Sequence, residues 1–119
     1  MNTQEIANRL VELCRQGQNV QAIDELYHDD ILSVEAAGEP KELKGKTAVR
    51  GKSEWWADTF EVTGGEISDS IVAGNHFSIG MLVDTTNKKT GEKSHMEEIC
   101  LYEVKDGKII REEFFYPAG

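Results

Sequence analysis

The chain has 119 residues, of which 39% are hydrophobic and 29% charged, and this length and composition suit one globular domain over residues 1–119. Acidic residues outnumber basic ones by 22 to 13, and the net charge of −9 argues against a nucleic-acid or anionic-membrane binder, because both partners require a basic surface. No apolar run is long enough to cross a membrane and the first ten residues lack signal-peptide features, so we expect a cytoplasmic protein.

The first half of the chain has mainly helical periodicity. A first helix is predicted from Thr3, as its N-cap, to a stop at Gly17, with an apolar stripe made of Ile6, Leu10, Leu13 and Cys14. A short second helix, capped by Asn19, covers residues 19–27, and a short strand covers 30–36. Residues 38–46 ("GEPKELKGK") are predicted to form a solvated loop, and a third helix covers 47–60 with Trp56 on its inward stripe.

The second half has strand periodicity throughout. Residues 66–75 are predicted to form one strand and a turn. Alternation over residues 76–86 then places one apolar set on a single face: Phe77, Ile79, Met81 and Val83. Two further strands occupy residues 97–116. Helices followed by an antiparallel meander predict an α+β fold, with the helices on one face of a bent sheet.

The register of the last two strands depends on the turn in "VKDGKI". A two-residue turn at Asp106-Gly107 would pair Val104 with Ile109, whereas a three-residue loop over 105–107 would pair Val104 with Lys108. The three-residue loop is favoured because it groups the apolar residues on one face. That face holds Cys100, Tyr102, Val104, Ile110, Phe114 and Tyr116.

Two acidic residues, Glu98 and Glu112, belong to this apolar face in the favoured register. Cys100 would lie opposite Glu112 and Glu98 opposite Phe114, so the two acids would be diagonal neighbours. Carboxyl groups that share an apolar wall have raised pKa values, which suits a general acid or base. Glu98 and Glu112 are therefore the candidate catalytic pair. The pattern alone gives more weight to a structural role, at the rim or in ion pairs with Arg9, Arg50 or Arg111.

The remaining candidates are ligand-binding residues. Tyr102 and Tyr116 could donate hydrogen bonds to a carbonyl or enolate oxygen. The expected apolar lining comprises Trp56, Phe114, Cys100 and Met81. Cys14 and Cys100 are expected to be free thiols, because they are far apart and form no CxxC motif. No metal-ligand spacing is present, so neither a metal nor a cofactor is expected.

Three segments carry a resemblance to a known family: "LYHDDILSVE", "GKTAVRGKSEWW" and "YEVKDGKIIREEFFY". With the order of elements, they resemble the nuclear transport factor 2-like superfamily, and within it the SnoaL-like proteins related to polyketide cyclases and ketosteroid isomerases. The resemblance implies a cone-shaped fold, in which three N-terminal helices cover a strongly curved antiparallel sheet around an apolar pocket. It also implies a homodimer formed through the outer sheet face.

The catalytic residues of the isomerases do not carry over to this sequence. The isomerase tyrosine falls on Leu10, and the two aspartates fall near Ala36 and near Cys100, so steroid isomerisation by that mechanism is not expected. If Ala36 faces the pocket, Glu35 points away from it. Two functions remain. One is binding of a small, largely apolar organic ligand, with proton abstraction next to a carbonyl. The alternative is a non-enzymatic dimeric module that uses the outer sheet face to bind proteins.

Overall fold

The structure is a computed structural model that describes residues 1–117. Its helices are α1 (Thr3–Arg15), α2 (Asn19–Leu26) and α3 (Lys46–Thr59). Its strands are β1 (Tyr27–Val34), β2 (Glu42–Lys44), β3 (Phe60–Ile67), β4 (Ile71–Ala73), β5 (His76–Asn87), β6 (Lys93–Lys105) and β7 (Lys108–Phe115). The strands form one sheet in the order β2-β1-β7-β6-β5-β3, with β4 paired to β5. Only the β1–β7 pair is parallel among the pairs of the described chain. The predicted α+β class is confirmed.

The helix ends follow local side-chain chemistry. The N-cap of α1 is Asn2 rather than the predicted Thr3, because Asn2 and Glu5 form a reciprocal capping box. Gly17 ends this helix as predicted, with a positive φ of 72°. The N-cap of α2 is Gln18 instead of Asn19, and its side chain makes no capping hydrogen bond. None of the described helices is long and apolar enough to cross a membrane.

The core lies between the helices and the inner, concave face of the sheet. From α1, Ile6, Leu10 and Leu13 are buried, as the helical stripe predicts. From the sheet, the buried residues include Phe77, Ile79, Cys100 and Tyr102, and the Phe77 and Tyr102 rings stack with their centroids 4.8 Å apart. The alternation predicted for β5 is confirmed for Phe77 and Ile79, which are buried, whereas Met81 and Val83 of the same set are half-buried.

The strand predicted over residues 30–36 lies earlier, as β1, and Tyr27 belongs to it and not to the second helix. Two further predicted segments differ from the structure. The strand predicted over residues 66–75 is broken at residues 68–70 into β3 and β4. At this break, the Gly80 N–H donates to the Ser68 hydroxyl at 2.8 Å. The loop predicted over residues 38–46 contains β2, which pairs with the end of β1 and gives Leu43 a partly buried position.

The β6–β7 hairpin has a two-residue turn, so the predicted three-residue loop is wrong. Asp106 and Gly107 have φ values of 53° and 75°, as a type I′ turn requires, and Lys105 pairs with Lys108. Because Val104 then pairs with Ile109, the buried residue beside Val104 is Ile109, which the prediction had placed on the other face.

A β-bulge beyond the turn changes the pairing register of β6 and β7 by one residue. Glu103 pairs with Arg111, so Ile110 is the extra residue, and Tyr102 and Cys100 pair with Glu112 and Phe114. The bulge shifts the register by one residue and returns Glu112 and Phe114 to the face predicted for them. The predicted partners were wrong, because Cys100 lies opposite Phe114 and not opposite Glu112.

Candidate functional site

Glu112 is a carboxyl group buried inside the sheet, with 3% of its surface exposed. The parallel pairing of β1 and β7 places Ser33 beside it, and the Ser33 hydroxyl donates to Glu112 Oε2 at 2.7 Å. The Tyr27 hydroxyl donates to Oε1 through a buried hydrogen bond. Both oxygens therefore have a hydroxyl partner, which fixes the orientation of this side chain.

The pKa of Glu112 is raised, chiefly because burial disfavours its charged form. The hydrogen bonds from Tyr27 and Ser33 and the positive charge of Lys52 oppose this rise, and Glu98 adds a small repulsion. Burial holds the pKa of Tyr27 well above its usual value, and the charge and hydrogen bond of Glu112 raise it further.

Glu98 of β6 lies on the same concave face of the sheet as Glu112 of β7, and it is only half-buried. It pairs with Met81 of the neighbouring strand β5, and the Cys100 thiol donates to its Oε1 at 3.7 Å. Burial raises the pKa of Glu98, whereas the Cys100 contact and the Lys52 charge lower it.

Glu98 and Glu112 are further apart than the predicted diagonal pair. Glu112 lies opposite Tyr102, and Glu98 is four residues along β6 from Tyr102. At about 3.3 Å per residue, this offset is roughly 13 Å along the strand. The two carboxyl groups therefore occupy different depths of the concave face and form no directly hydrogen-bonded pair.

Lys52 of α3 is a site residue that the sequence analysis missed. Its ammonium forms an ion pair with Glu35 and lies 5.3 Å from the centroid of the Phe114 ring. Burial lowers the pKa of Lys52, while the charges of Glu112 and Glu98 raise it. A sequence signal was present, because residue 52 lies three residues after the buried Val49 and so at the edge of the helical stripe.

Glu35 points toward this site, contrary to the prediction. Strand β1 ends at Val34, so the alternation that would have turned Glu35 away does not reach it. Its Oε2 accepts a hydrogen bond from the Tyr116 hydroxyl at 2.9 Å, and the same carboxylate binds Lys52. Tyr116 therefore does not have a free hydroxyl, and it orients Glu35 and, through it, Lys52.

The arginines considered as structural partners bind other acids in the described chain. Arg9 pairs with Glu25 and Glu12, Arg50 pairs with Asp24 and Glu54, and Arg111 pairs with Glu113. The cation that faces the two inner glutamates is Lys52. The predicted structural ion pairs are therefore not those present.

The candidate lining residues divide by depth. Cys100 and Tyr102 are buried and form the floor, and burial raises the pKa of the Cys100 thiol. Three other candidates, Met81, Phe114 and Trp56, are half-buried. Trp56 packs on Phe60 with a centroid distance of 5.5 Å. Cys14 and Cys100 are both free thiols, as predicted.

A groove of about 920 Å³ reaches the outer side of the sheet. Met81 and Glu98 contribute to it, together with the outer-face residues Leu82, Ile99 and Phe115. Lys52 and Glu112 are not among its lining residues. Glu98 therefore borders this groove, whereas Lys52 and Glu112 face only the concave side.

Comparison with known proteins identifies the family. The SnoaL-like domain matches residues 1–116. A structure from Mesorhizobium loti, described as a SnoaL-like polyketide cyclase and also as a carbohydrate phosphatase, is 43% identical with a TM-score of 0.90, and the alignment covers 98% of this chain and 100% of that one.

More distant structures share the fold. A nuclear transport factor 2-like protein from Burkholderia thailandensis is 16% identical with a TM-score of 0.81, over 98% of this chain and 92% of that one. A Catenulispora acidiphila protein with a ketosteroid isomerase-like fold, in complex with trimethylamine, is 18% identical with a TM-score of 0.73, over 97% and 87%. No curated protein matches the chain. The family match over nearly the whole chain shows that this protein belongs to the SnoaL-like domain family.

Proposed function

We propose that this protein binds a small, largely apolar carbonyl compound on the concave face, beside the half-buried Met81 and Phe114, and that Glu98 removes a proton from the carbon next to the carbonyl. The observation that supports this proposal is the half-buried Glu98 carboxyl group, whose pKa is raised by burial. A carboxylate with a raised pKa is a stronger base than one in water, and after protonation it can return the proton.

Glu98 suits this role better than Glu112. Glu112 is buried and both of its oxygens accept hydrogen bonds from Tyr27 and Ser33, so a ligand would have to displace a hydroxyl group to reach it. Glu98 is only half-buried, and it accepts a weak hydrogen bond from the Cys100 thiol. We assign Glu112 a positioning role at the floor of the site.

The reaction balances without a cofactor. The C–H proton moves to the Glu98 carboxylate, and the electron pair of that bond forms the carbon–carbon double bond of an enolate while the carbonyl oxygen gains the negative charge. Glu98 then returns the proton to the same or another carbon. The apolar surroundings of Met81 and Phe114 suit a ligand that is mostly hydrocarbon. The Mesorhizobium relative, described as a polyketide cyclase, is compatible with chemistry at such a carbon.

The test is proton–deuterium exchange in D₂O, followed by NMR on a panel of small ketones and 1,3-diketones. The wild-type protein should accelerate exchange at the carbon next to the carbonyl for at least one compound. Glu98→Gln should reduce the rate by roughly 10²–10⁴-fold, the usual contribution of a general base. The control is Glu97→Gln, which removes the adjacent exposed carboxylate on the outer face and should retain the rate. Retained exchange in Glu98→Gln would exclude Glu98 as the base.

A second candidate function is self-association through the outer face of the sheet. Ile99 and Phe115 are cross-strand neighbours on this face, and Leu82 lies diagonally from Ile99. Their exposed fractions are 57%, 47% and 40%, respectively. A contiguous exposed apolar patch is typical of an interaction surface. We propose that a second copy of the chain covers it.

Sedimentation velocity tests this association. The wild-type protein should sediment as a dimer at micromolar concentration, and Ile99→Glu should shift it to a monomer because a charge would be buried without a partner. Val62→Glu is the matched control. Val62 is similarly exposed, at 55%, but pairs with the buried Thr85 and so belongs to the concave side. A wild-type monomer at these concentrations would contradict the proposal.

A further inference from the structure

The Lys52 ammonium lies above the Phe114 ring, and its charge acts on both glutamates of the concave face, Glu98 and Glu112. Phe114 follows Glu112 by two residues on the same face of β7, and it lies opposite Cys100, two residues from Glu98. A group above the Phe114 ring is therefore within side-chain reach of both carboxyl groups. Lys52 Nζ is 5.3 Å from the ring centroid.

We infer that Lys52 binds the negatively charged oxygen of the enolate, and that the ligands of this site are therefore carbonyl compounds that form stable enolates, such as 1,3-diketones. This inference rests on the proposed function, because it names the group that stabilises the product of proton removal by Glu98. An ammonium placed where negative charge develops lowers the barrier to forming that charge.

The two tyrosines expected for this role, Tyr116 and Tyr102, are not available to a ligand. The Tyr116 hydroxyl already donates to Glu35. Tyr102 is 2% exposed and stacks on Phe77 beneath the site. Lys52, in contrast, has 36% of its side-chain surface exposed.

The ion pair with Glu35 leaves donors for a ligand. An ammonium has three N–H groups, and one bond to Glu35 leaves two for an enolate oxygen. Tyr116 fixes the other oxygen of Glu35 at 2.9 Å, so the carboxylate holds the ammonium in place before a ligand binds. Such preorganisation reduces the entropic cost of binding.

The test compares the dissociation constants of two probes of similar size. Cyclohexane-1,3-dione is an enolate above its own pKa, and cyclohexanone is its neutral counterpart. Lys52→Met should weaken binding of the enolate at least tenfold and change binding of cyclohexanone less than twofold. Lys52→Gln provides a second neutral variant if the methionine variant folds poorly, and Lys44→Met is a control at an exposed lysine on β2. Circular dichroism confirms that each variant is folded.

Three outcomes would overturn the inference. They are failure of the wild-type protein to bind the enolate, unchanged enolate affinity in the folded Lys52 variants, and a mass increase at Lys52 equal to the dione minus one water. The last would show that Lys52 is a nucleophile. Lysine-dependent enolate binding without deuterium exchange on any compound would instead support the inference and contradict the proposed proton transfer.

Discussion

Tyr27 and Glu112 are 85 residues apart in the sequence and are joined by a buried hydrogen bond. They lie on β1 and β7, the first and last strands in chain order. The bond exists because β1 and β7 are parallel neighbours, which brings Ser33 to the second carboxyl oxygen as well. A carboxyl group that would otherwise be costly to bury thereby has a donor on each oxygen. This contact links the two ends of the chain at the floor of the candidate site.

Removing the Tyr27 hydroxyl should raise the pKa of Glu112 further. That hydrogen bond favours the charged carboxylate and lowers the pKa, so Tyr27→Phe leaves burial less opposed. The same change should cost about 1–3 kcal/mol of unfolding free energy, because one buried oxygen loses its donor. Carboxyl ¹³C NMR titration and urea unfolding measure the two effects. Thr90→Ala, which removes a hydroxyl from the exposed turn between β5 and β6, should leave the Glu112 titration unchanged, and a shift there would contradict this assignment.

Glu112 should make the protein less stable as the pH rises. Its folded-state pKa lies above the unfolded value of 4.5, so between these values the folded state binds more protons than the unfolded state. The unfolding free energy therefore falls with pH in this window, by at most about 1.4 kcal/mol per pH unit for one proton. Glu112→Gln should remove this contribution.

The measurement for Glu112 is urea unfolding at several pH values from 4 upward, using the difference between wild type and Glu112→Gln. The difference isolates Glu112 from Glu25, whose pKa of about 2 gives the opposite trend at lower pH as its ion pair with Arg9 is lost. Glu66→Gln changes an exposed carboxylate and serves as control. Parallel stability curves for wild type and Glu112→Gln would show that Glu112 titrates alike in both states.

Most of the fold could be predicted because its elements carry local signals. Alternation in β5 placed Phe77 and Ile79 in the core, and Gly17 marked the end of α1. The hairpin shows the limit of such signals. The Asp106-Gly107 turn shifts the predicted pairing register by one residue, and the Ile110 bulge shifts it by one more. Together the two shifts return Glu112 to the inner face, which neither shift would do alone.

Only the part of the site that comes from the β6–β7 hairpin could be predicted from the sequence. Strand alternation places Glu98 and Glu112 on the inner face, and both lie there. Lys52 and Glu35 come from a helix and from the chain segment after β1, and their contact depends on how α3 packs over the sheet. Sequence spacing within one element cannot give such a contact, and for Glu35 the alternation was extended beyond the end of its strand.

Two glycines should respond in opposite directions to alanine. A Cβ at Gly65 would lie 1.9 Å from the Leu82 carbonyl oxygen, and its φ of 125° disfavours any side chain. Gly65→Ala should therefore cost at least about 2 kcal/mol. Gly51 lies within α3 with nothing within 4 Å of a Cβ, so Gly51→Ala should stabilise the protein by about 0.5–1 kcal/mol. Thermal unfolding measures both. A tolerated Gly65→Ala would show that the β3–β5 pairing differs from this structure.

The interaction between Lys52 and Glu98 should appear equally in the titrations of both groups. The ammonium lowers the pKa of Glu98 and the carboxylate raises that of Lys52, and one pairwise energy underlies both effects. Lys52→Met should therefore raise the pKa of Glu98, and Glu98→Gln should lower the pKa of Lys52 by a similar amount.

NMR of the Glu98 carboxyl carbon and of the Lys52 side chain measures these two shifts without any ligand. The controls are Lys44→Met, which removes an exposed positive charge, and Glu97→Gln, which removes an exposed negative charge. Neither control should change the pKa of Glu98 or of Lys52. A Glu98 pKa that stays constant in Lys52→Met would place the ammonium too far away to act on this carboxyl group. The enolate would form beside Glu98, so its binding requires that the Lys52 charge be felt at that position. A constant Glu98 pKa would therefore weaken the enolate inference even before a ligand is tested.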